Sequence, residues 1–428
     1  TDHHGLVQAD FGNRVFTSYQ FDPLDALSLP DNTIQSLYVD NQNALWLGGY
    51  KNGLAYCSPA ASKFSTIPLG DVCTIAEGRD GTYWCGTNDQ GIVTYHPATG
   101  VVRRFRMAQT HLGSDVIVSS VADRDGSLWF GSFNGGLVHY KQGVFKAYHA
   151  GDGSGLASDN IWHLAVEEST GRLVVATLGG GLQLLDRESG RFTTFNTRNS
   201  KLPTDYLSSL SFDINGNLVI GNATDFSVMN MDNHRVATYS GTRSGQVFVS
   251  SSVNQVYADS RGLIWNATAS GVTVYDPRTD QLETLDLSAG LLGAMACSVV
   301  EDLAHGMWIA SDHGVSHVTV AREDGQWSFF VTSYSDIDGL QSRQFNLRAI
   351  CLAINGNIIV GGQDGINIIP PQKAMTMKRQ PRALFSGLML FDHVLSVGEA
   401  YRGRIVLKEA LTDGSELTLT AKENAFTI

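Results

Sequence analysis

Cysteine, proline, basic residues and long apolar runs are all scarce in this sequence of 428 residues, which has 5 Cys and 10 Pro. The odd number of cysteines and the absence of C-x-x-C spacing predict buried free thiols, and they do not identify a compartment. Only 30 Lys and Arg stand against 42 Asp and Glu, so the net charge of −12 argues against direct nucleic-acid or anionic-membrane contact by this chain. Because no run of 18 apolar residues occurs, no segment predicts a membrane-spanning helix.

One short pattern recurs through the chain: an apolar strand, a polar turn, an aromatic or β-branched strand and then a small residue. The central residues of its eight copies are spaced by 38, 45, 45, 45, 46, 43 and 51 residues and are Trp46, Trp84, Trp129, Val174, Val219, Trp265, Trp308 and Ile359. A period near 45 residues made only of strands is typical of a β-propeller, with one four-stranded blade in each repeat. We therefore predict an all-β fold with a propeller of seven to eight blades.

Residues 115–148 illustrate one repeat. Asp115–Ala122 predicts an inner strand, and 127–131, 136–140 and 144–148 predict the next three strands. The turn between the first two strands contains Asp125 and Gly126, residue types that tolerate the positive φ of a tight hairpin. Since Val and Ile replace Trp at the repeat centre, we expect the five Trp residues there to be buried between blades rather than to bind ligand.

The two ends of the chain break the pattern. Residues 1–28 resemble the last strands of a blade, which either closes the ring or ends a preceding unit. The repeats occupy 29–371, and they allow an eight-bladed ring or seven blades plus one left from an upstream ring. A short basic linker covers 372–382. Residues 383–428 alternate like the start of a small sandwich, with strands expected at 383–391, 403–407 and 416–421, and the segment is too short for a complete immunoglobulin-like domain.

Ligand-binding residues are expected at the mouth of the central channel, on the inner strands and the loops that lead into them, because such loops carry function on a rigid scaffold. The repeat spacing predicts that Trp162 replaces the aliphatic residue found at this register in other repeats, such as Ile34, Val72 and Ile117. Trp and Tyr rings stack on sugars, and Asn and Arg form hydrogen bonds with them; a Trp that fills the ring interior is the alternative. The candidates are Asn160, Trp162, His163, Tyr206, Phe248, Arg343, Asn346 and Arg348.

No sequence pattern for catalysis or metal binding stands out. The sequence contains no G-x-S-x-G, P-loop or H-E-x-x-H motif. His305, His313 and His317 cluster in one repeat, but the spacing of four residues between the last two does not indicate a metal site where strands are expected. We therefore expect no catalytic residues, no metal and no cofactor in this chain.

The repeats resemble the two-component regulator propeller repeat, whose pattern is matched by Val118–Tyr140 and by Val72–Tyr95. The stretch from Phe21 to Asn32 is similar to the connector between repeats in that family, and the segment from Pro381 resembles the start of its Y_Y_Y module, with Glu423-Asn424-Ala425-Phe426 at a matching strand. This resemblance covers essentially the whole chain. Repeats followed by this tail are a more specific match than any single repeat.

The resemblance implies the periplasmic sensor part of a hybrid two-component regulator from Bacteroidetes, in which two seven-bladed propellers precede the Y_Y_Y module. It implies an oligosaccharide ligand that controls polysaccharide-utilisation genes, a homodimer formed through the ectodomain, and a full-length protein tethered to the membrane that carries a histidine kinase. This chain would then be the second propeller, the edge of the first and part of the module. The alternatives are a protein-interaction scaffold and a propeller lyase or hydrolase acting at the channel mouth.

Overall fold

The computed structural model describes residues 3–12, 15–22, 28–40, 43–57, 63–167, 169–223, 225–243, 246–247, 252–341, 344–375, 387–411 and 416–427. These residues divide between two compact units, Thr1–Met375 and Thr376–Ile428. The first unit is built of antiparallel strands, with 3-10 turns at Met107–Gln109, Leu287–Ala289 and Asp336–Asp338 and a five-residue helix, Pro371–Met375. The all-β propeller predicted from the sequence is confirmed.

Seven four-stranded sheets occur among the described residues, and each is one blade with its strands ordered from the inside outward. Blade 1 consists of Val72–Glu77, Tyr83–Thr87, Ile92–His96 and Val101–Phe105. Blade 2 consists of Ile117–Ala122, Leu128–Ser132, Leu137–Lys141 and Val144–Tyr148. Blade 3 consists of Ile161–Val166, Leu173–Thr177, Leu182–Asp186 and Arg191–Phe195. Blade 4 consists of Leu207–Phe212, Leu218–Asn222, Phe226–Met229 and Val236–Tyr239.

The remaining blades follow the same order. A two-stranded hairpin, Thr242–Arg243 with Gln246–Val247, precedes them. Blade 5 consists of Val253–Ala258, Ile264–Thr268, Gly271–Asp276 and Gln281–Leu285. Blade 6 consists of Ala296–Glu301, Met307–Ser311, Gly314–Glu323 and Gln326–Tyr334. Blade 7 consists of Phe345–Leu352, Ile358–Gly362, Gly365–Ile369 and, from far earlier in the chain, Ser65–Pro68.

Blade 7 closes the ring with a strand from the beginning of the propeller. Ile67 pairs with Ile366 in an antiparallel register, and the flanking Phe64 and Leu69 are buried. Lys63 adds an ion pair, with its Nζ 3.0 Å from a carboxylate oxygen of Asp338. The seven inner strands contact one another in a continuous cycle that returns from blade 7 to blade 1. Of the two arrangements that the sequence allowed, the strand pairing therefore gives a seven-bladed ring.

The first repeat lies outside this ring. Ile34–Val39, Leu45–Gly49 and Leu54–Cys57 form a three-stranded sheet of their own, and Leu6–Asp10 pairs with Val15–Tyr19 in a separate hairpin. Blade 7 is thus completed by Ser65–Pro68 and not by the strands within residues 1–28.

Four of the repeats share a hydrogen bond between an aspartate after the first strand and the tryptophan of the second strand. Asp259 Oδ1 accepts the backbone N–H of Leu263 at 2.9 Å, and its Oδ2 accepts Trp265 Nε1–H at 3.0 Å. The same Trp-to-Asp bond joins residues 46 and 40, 129 and 123, and 308 and 302. Trp84, Trp129, Trp265 and Trp308 are buried, as the sequence predicted. The prediction is wrong for Trp46, which is only partly buried because the sheet of the first repeat lies outside the ring.

The second unit is small and is described by itself. Leu388–Leu390 pairs with His393–Leu395 and with Phe426–Thr427, and Ala400–Tyr401 pairs with Arg404–Ile405. The strand expected at 416–421 is wrong, because the described residues there form no ladder. Leu417 and Leu419 nevertheless pack against the apolar cluster of this unit, which explains the alternating pattern in the sequence.

Candidate functional site

A one-residue bulge near the start of each inner strand shapes the central channel of the ring. It falls between residues 72 and 74, 117 and 119, 161 and 163, 207 and 209, 253 and 255, and 296 and 298 in blades 1 to 6. In blade 7 the irregular stretch is longer, from Phe345 to Ile350, and it contains Arg348 at φ 60°. A bulge re-aims a side chain relative to a regular strand, and bulges are common next to functional sites.

The bulges correct the register that we assigned to Trp162. Ile161 is the residue equivalent to Val72 and Ile117, because each of these is the last paired residue before the bulge. Trp162 is the bulged residue itself and corresponds to Cys73 and Val118. The prediction that Trp162 replaces an aliphatic residue such as Val72 was wrong by one position, since sequence spacing does not reveal a residue that lies outside the ladder.

Arg348 reaches across the channel from blade 7 to the bulged residues of blades 3, 4 and 5. Its guanidinium carbon lies 4.9 Å from the centroid of the Trp162 ring, within range of a cation–π interaction. Its Nη1 donates to the backbone carbonyls of Ser208 and Asn254, each at 3.3 Å. Arg348 is 8% exposed, and burial lowers its pKa to about 10, so it still carries its charge at neutral pH.

His163 lies beside this cation and is held neutral. Its Nδ1 accepts the backbone N–H of Leu210 at 3.1 Å, so the ring proton of the neutral form is on Nε2. Burial, and then the positive charge of Arg348, lower the pKa of His163 to about 3. At neutral pH this imidazole is therefore a hydrogen-bond donor through Nε2 and a very weak base.

A cavity of about 550 Å³ extends from Arg348 and His163 toward the face that carries the tight hairpin turns. Its polar lining includes Thr74, Glu77, Arg79 and Gln255. Burial raises the pKa of Glu77, whose Oε2 accepts the backbone N–H of Ile354 at 2.5 Å. The cavity is of the size that small-molecule ligands occupy in proteins, and it combines apolar walls with a few fixed polar groups.

The opposite face carries the loops that lead into the inner strands, where the sequence placed Asn160 and Tyr206. Asn160 Oδ1 accepts the backbone N–H of Asn134 at 3.0 Å. The backbone carbonyl of Asn160 accepts the N–H of Leu178, and Leu178 forms an isolated antiparallel β-bridge with Tyr206. Asn160 thus links blade 2 to blade 3 through its amide oxygen. Tyr206 is 64% exposed, so its ring is accessible for stacking on this face.

Asn346 connects the last blade to the first one. Its Nδ2 donates to Asp71 Oδ1 at 2.6 Å and to the carbonyl of Val72 at 2.8 Å. Phe248 and Arg343, the two other candidates from the sequence, lie outside the described residues. The structure therefore joins Trp162, His163 and Arg348 in one cluster, and it places Asn160, Tyr206 and Asn346 in the loops and strand starts around the channel.

Sequence reasoning missed two residues near this site. Phe133, in the loop beside Asn134, is 41% exposed on the same face as Tyr206, and an aromatic residue in an otherwise polar turn is the signal that could have found it. Gln255 gave no signal, because its Oε1 accepts the N–H of Val299 and only the fold places it against the cavity.

Within the part of the chain that the structure describes, no group of three or more His, Cys, Asp or Glu side chains could hold a metal ion. Within that part, no helix is both long and apolar enough to cross a membrane. The five cysteines form no disulfide, but the prediction of buried thiols is wrong for Cys57, which is exposed. Burial raises the pKa of Cys73, Cys297 and Cys351 to about 12.

A closed seven-bladed β-propeller with a polar cavity around its axis defines the class of this protein, and comparison with known proteins agrees with it. The two component regulator propeller family model matches residues 28–51, so the resemblance inferred from the repeats is confirmed. The matched residues are those of the first repeat, outside the closed ring.

A curated relative, "Histidine kinase P4" from Formosa agariphila, is 21% identical over 348 residues, which are 79% of this chain and 25% of the relative. The chain thus spans about a quarter of that protein.

Two solved structures are extracellular domains of putative hybrid two component systems from B. thetaiotaomicron. That of BT3049 is 19% identical with a TM-score of 0.74 and is matched over 94% of this chain and 54% of its own. That of BT4673 is 18% identical with a TM-score of 0.60, over 92% of this chain and 53% of its own. The chain therefore spans about half of these ectodomains and shares their fold.

Proposed function

We propose that this chain is the extracytoplasmic ligand-sensing region of a two-component signal transduction regulator, that it lies in the periplasm, and that its ligand is an oligosaccharide. The full-length protein would be tethered to the inner membrane, carry a histidine kinase and control polysaccharide-utilisation genes. The extracellular domains that share this fold and the relative named as a histidine kinase support the proposal.

The observation that carries the proposal is the aromatic and cationic cluster at the ring axis. Trp162 and Arg348 come from blades on different sides of the channel and stack on each other, and the exposed Tyr206 lies on the neighbouring loop. Aromatic faces together with Arg and Asn donors are the side chains that bind sugar rings and hydroxyl groups. A ligand held by residues of blades 3, 4 and 7 would couple parts of the ring that the chain connects only at long range.

The same residues favour binding over catalysis. A general base works best when its pKa is near the working pH, and His163 is neutral with a pKa of about 3. Glu77, the carboxylate of the cavity with a raised pKa, already accepts a backbone hydrogen bond. These two groups form no pair of the kind that a lyase or hydrolase needs.

Signalling requires the ligand to prefer one arrangement of the receptor over another. We propose that the ectodomain is a homodimer and that ligand binding shifts the balance between two arrangements of its subunits, which the second unit passes on to the kinase. A ligand with equal affinity for both arrangements would transmit nothing.

The proposal is tested by screening plant, host and microbial oligosaccharides for an increase in the thermal unfolding midpoint, since a ligand that binds the native state raises it by mass action. One saccharide class should stabilise the protein. Tyr206→Ala should weaken that effect, whereas Phe330→Ala should not, because Phe330 is similarly exposed, at 62%, but lies on the outer strand of blade 6.

If no saccharide raises the midpoint, the function is contradicted, a protein partner becomes the better candidate and the scaffold function should be pursued. If Tyr206→Ala and Phe330→Ala reduce the effect equally, the ligand does not stack on Tyr206 at the face with the entry loops.

A further inference from the structure

Arg348 keeps unused hydrogen-bond donors in an unusually buried position. Both of its hydrogen bonds are made by Nη1, to the carbonyls of Ser208 and Asn254. Its Nε is buried and has no acceptor among the described residues. Among the described residues, Nη2 makes no hydrogen bond either. The edge of the guanidinium formed by Nε and Nη2, which is one of the edges that bind a carboxylate in a bidentate way, is therefore unoccupied.

Within the described part of the chain, the charge of Arg348 also lacks a counterion. No carboxylate of the described residues lies within 4.0 Å of its guanidinium nitrogens, and the groups that bond to it are carbonyl oxygens and the Trp162 ring. Taking a cation out of water without an anionic partner is costly, and a cation–π contact offsets only part of that cost. Such a site favours an anion that arrives from outside the chain.

The cavity gives such an anion a route to Arg348. It is lined by Arg348 and His163 at the ring axis and by the exposed Arg79 at the turn after the inner strand of blade 1. The two carboxylates of its lining are already engaged: Glu77 accepts the N–H of Ile354, and Asp123 accepts Trp129 Nε1–H and pairs with Arg187 at 2.6 Å. His163 offers its Nε2–H as a further donor, because its Nδ1 is an acceptor.

We propose that Arg348 is the anchor for the anionic group of an acidic saccharide, a uronic acid carboxylate or a sulfate ester, that enters the channel from the face with the hairpin turns. Nη2 and Nε would form two charge-assisted hydrogen bonds with the anion, and Arg79 would attract it to the opening. This inference rests on the proposed saccharide-sensing function and specifies the chemical class of its ligand.

The test is a calorimetric titration of the full chain with galacturonic acid, galactose 6-sulfate and neutral galactose. Galacturonic acid or galactose 6-sulfate should bind, and the tighter of the two distinguishes a carboxylate from a sulfate site. Arg348→Gln should weaken binding of the acidic sugar at least about tenfold, as expected for the loss of a charge-assisted bidentate pair. Arg104→Gln is the matched control, since Arg104 is exposed on the outer strand of blade 1 and should leave the affinity unchanged.

A second variant keeps the test decisive if Arg348→Gln does not fold. A ligand on Arg348 should change the tryptophan fluorescence, because Trp162 lies 4.9 Å from the guanidinium, and Trp162→Phe should remove that change. Equal affinity for galactose and galacturonic acid would overturn the anionic anchor and leave saccharide sensing intact. Loss of affinity in Arg104→Gln equal to that in Arg348→Gln would overturn it as well. Absence of binding by every sugar, in this titration and in the oligosaccharide screen, would overturn both proposals.

Discussion

The first repeat and blade 5 carry the same local motif but differ in how much of it is buried. Trp46 donates to Asp40 and Trp265 donates to Asp259, both at 3.0 Å. In the first repeat, however, Leu37 is 58% exposed on its inner strand, whereas Val256, at a corresponding place in blade 5, is fully buried. The motif therefore builds the hairpin, and the neighbouring blades supply the burial.

The reason is that a blade is apolar on both faces and cannot cover itself. Blade 5 packs between blades 4 and 6, and its Trp265 belongs to an apolar cluster that extends to Met307 and Ile309 of blade 6. The three-stranded sheet of the first repeat lies outside the closed ring. Because hydrophobic stabilisation scales with the apolar area removed from water, the same sequence pattern should contribute much more stability inside the ring than outside it.

Removing the closing strand, Ser65–Pro68, should cause the largest loss of stability. A fragment of residues 63–375 keeps Phe64, Ser65–Pro68 and Leu69, and it should unfold cooperatively although the first repeat is missing. A fragment of 71–375 loses the buried Phe64 and Leu69 and exposes the edge of blade 7, so its free energy of unfolding should fall by on the order of 5 kcal/mol or more. Chemical denaturation followed by circular dichroism measures the free energy of unfolding of the two fragments. Equal denaturation midpoints for the two fragments would contradict closure by this strand.

Substitution of the repeat tryptophans should give the next largest effect. Trp265→Ala creates a cavity in a closed core and leaves Asp259 Oδ2 without Trp265 as a donor, so it should cost about 3–5 kcal/mol. Trp46→Ala removes the same hydrogen bond from a partly exposed site and should cost only about 1 kcal/mol. Denaturant unfolding of the two full-length variants compares them directly. A loss for Trp46→Ala as large as that for Trp265→Ala would mean that the first repeat is packed as tightly as a blade of the ring.

The smallest expected effect is the pH dependence of stability, which should differ between His163 at the channel and His4 near the start of the chain. The pKa of His163 is about 3 in the folded protein and about 6.5 in an unfolded chain, so the unfolded state binds more protons between these values. Stability should therefore fall as the pH decreases below about 6.5, by at most about 1.4 kcal/mol per pH unit from this group.

His163→Asn should flatten that fall, because Asn can still accept the Leu210 N–H but does not titrate. The control is His4→Asn, on an exposed residue of the leading segment, which should leave the slope unchanged. Unfolding free energies between pH 7 and pH 4 provide the measurement. An identical slope for the wild type and His163→Asn would show that His163 is not buried in its neutral form.

The repeat pattern predicted the strands of the blades closely, because alternation and turn residues act over a few neighbours. Strands expected at 127–131 and 144–148 appear as Leu128–Ser132 and Val144–Tyr148. The pattern failed where pairing is not local: the sequence did not identify Ser65–Pro68 as the closing strand, and it placed Trp162 one position away from its true register. At 416–421 it predicted a strand, although the apolar side chains pack without a ladder.

In the candidate site, too, the sequence predicted single residues but not the contacts between distant ones. Aromatic and basic residues at the starts of inner strands identified Trp162 and Arg348 separately, but nothing in their positions along the chain indicated that one would stack on the other. Their contact depends on the long irregular stretch in blade 7, which carries Arg348 at a positive φ across the channel. A regular strand would alternate its side chains between the two faces and would not position Arg348 in this way.

The sequence by itself determined the type of blade, its period and its hairpin turns, because these depend on side-chain alternation, on the Asp–Trp hydrogen bond and on residues that accept positive φ. Only the tertiary structure decided the number of blades in the ring, the strand that closes it and the meeting of Arg348, Trp162 and His163. Those features depend on contacts between residues far apart in the chain, where the burial of apolar faces and the cost of an unpaired charge outweigh local preference.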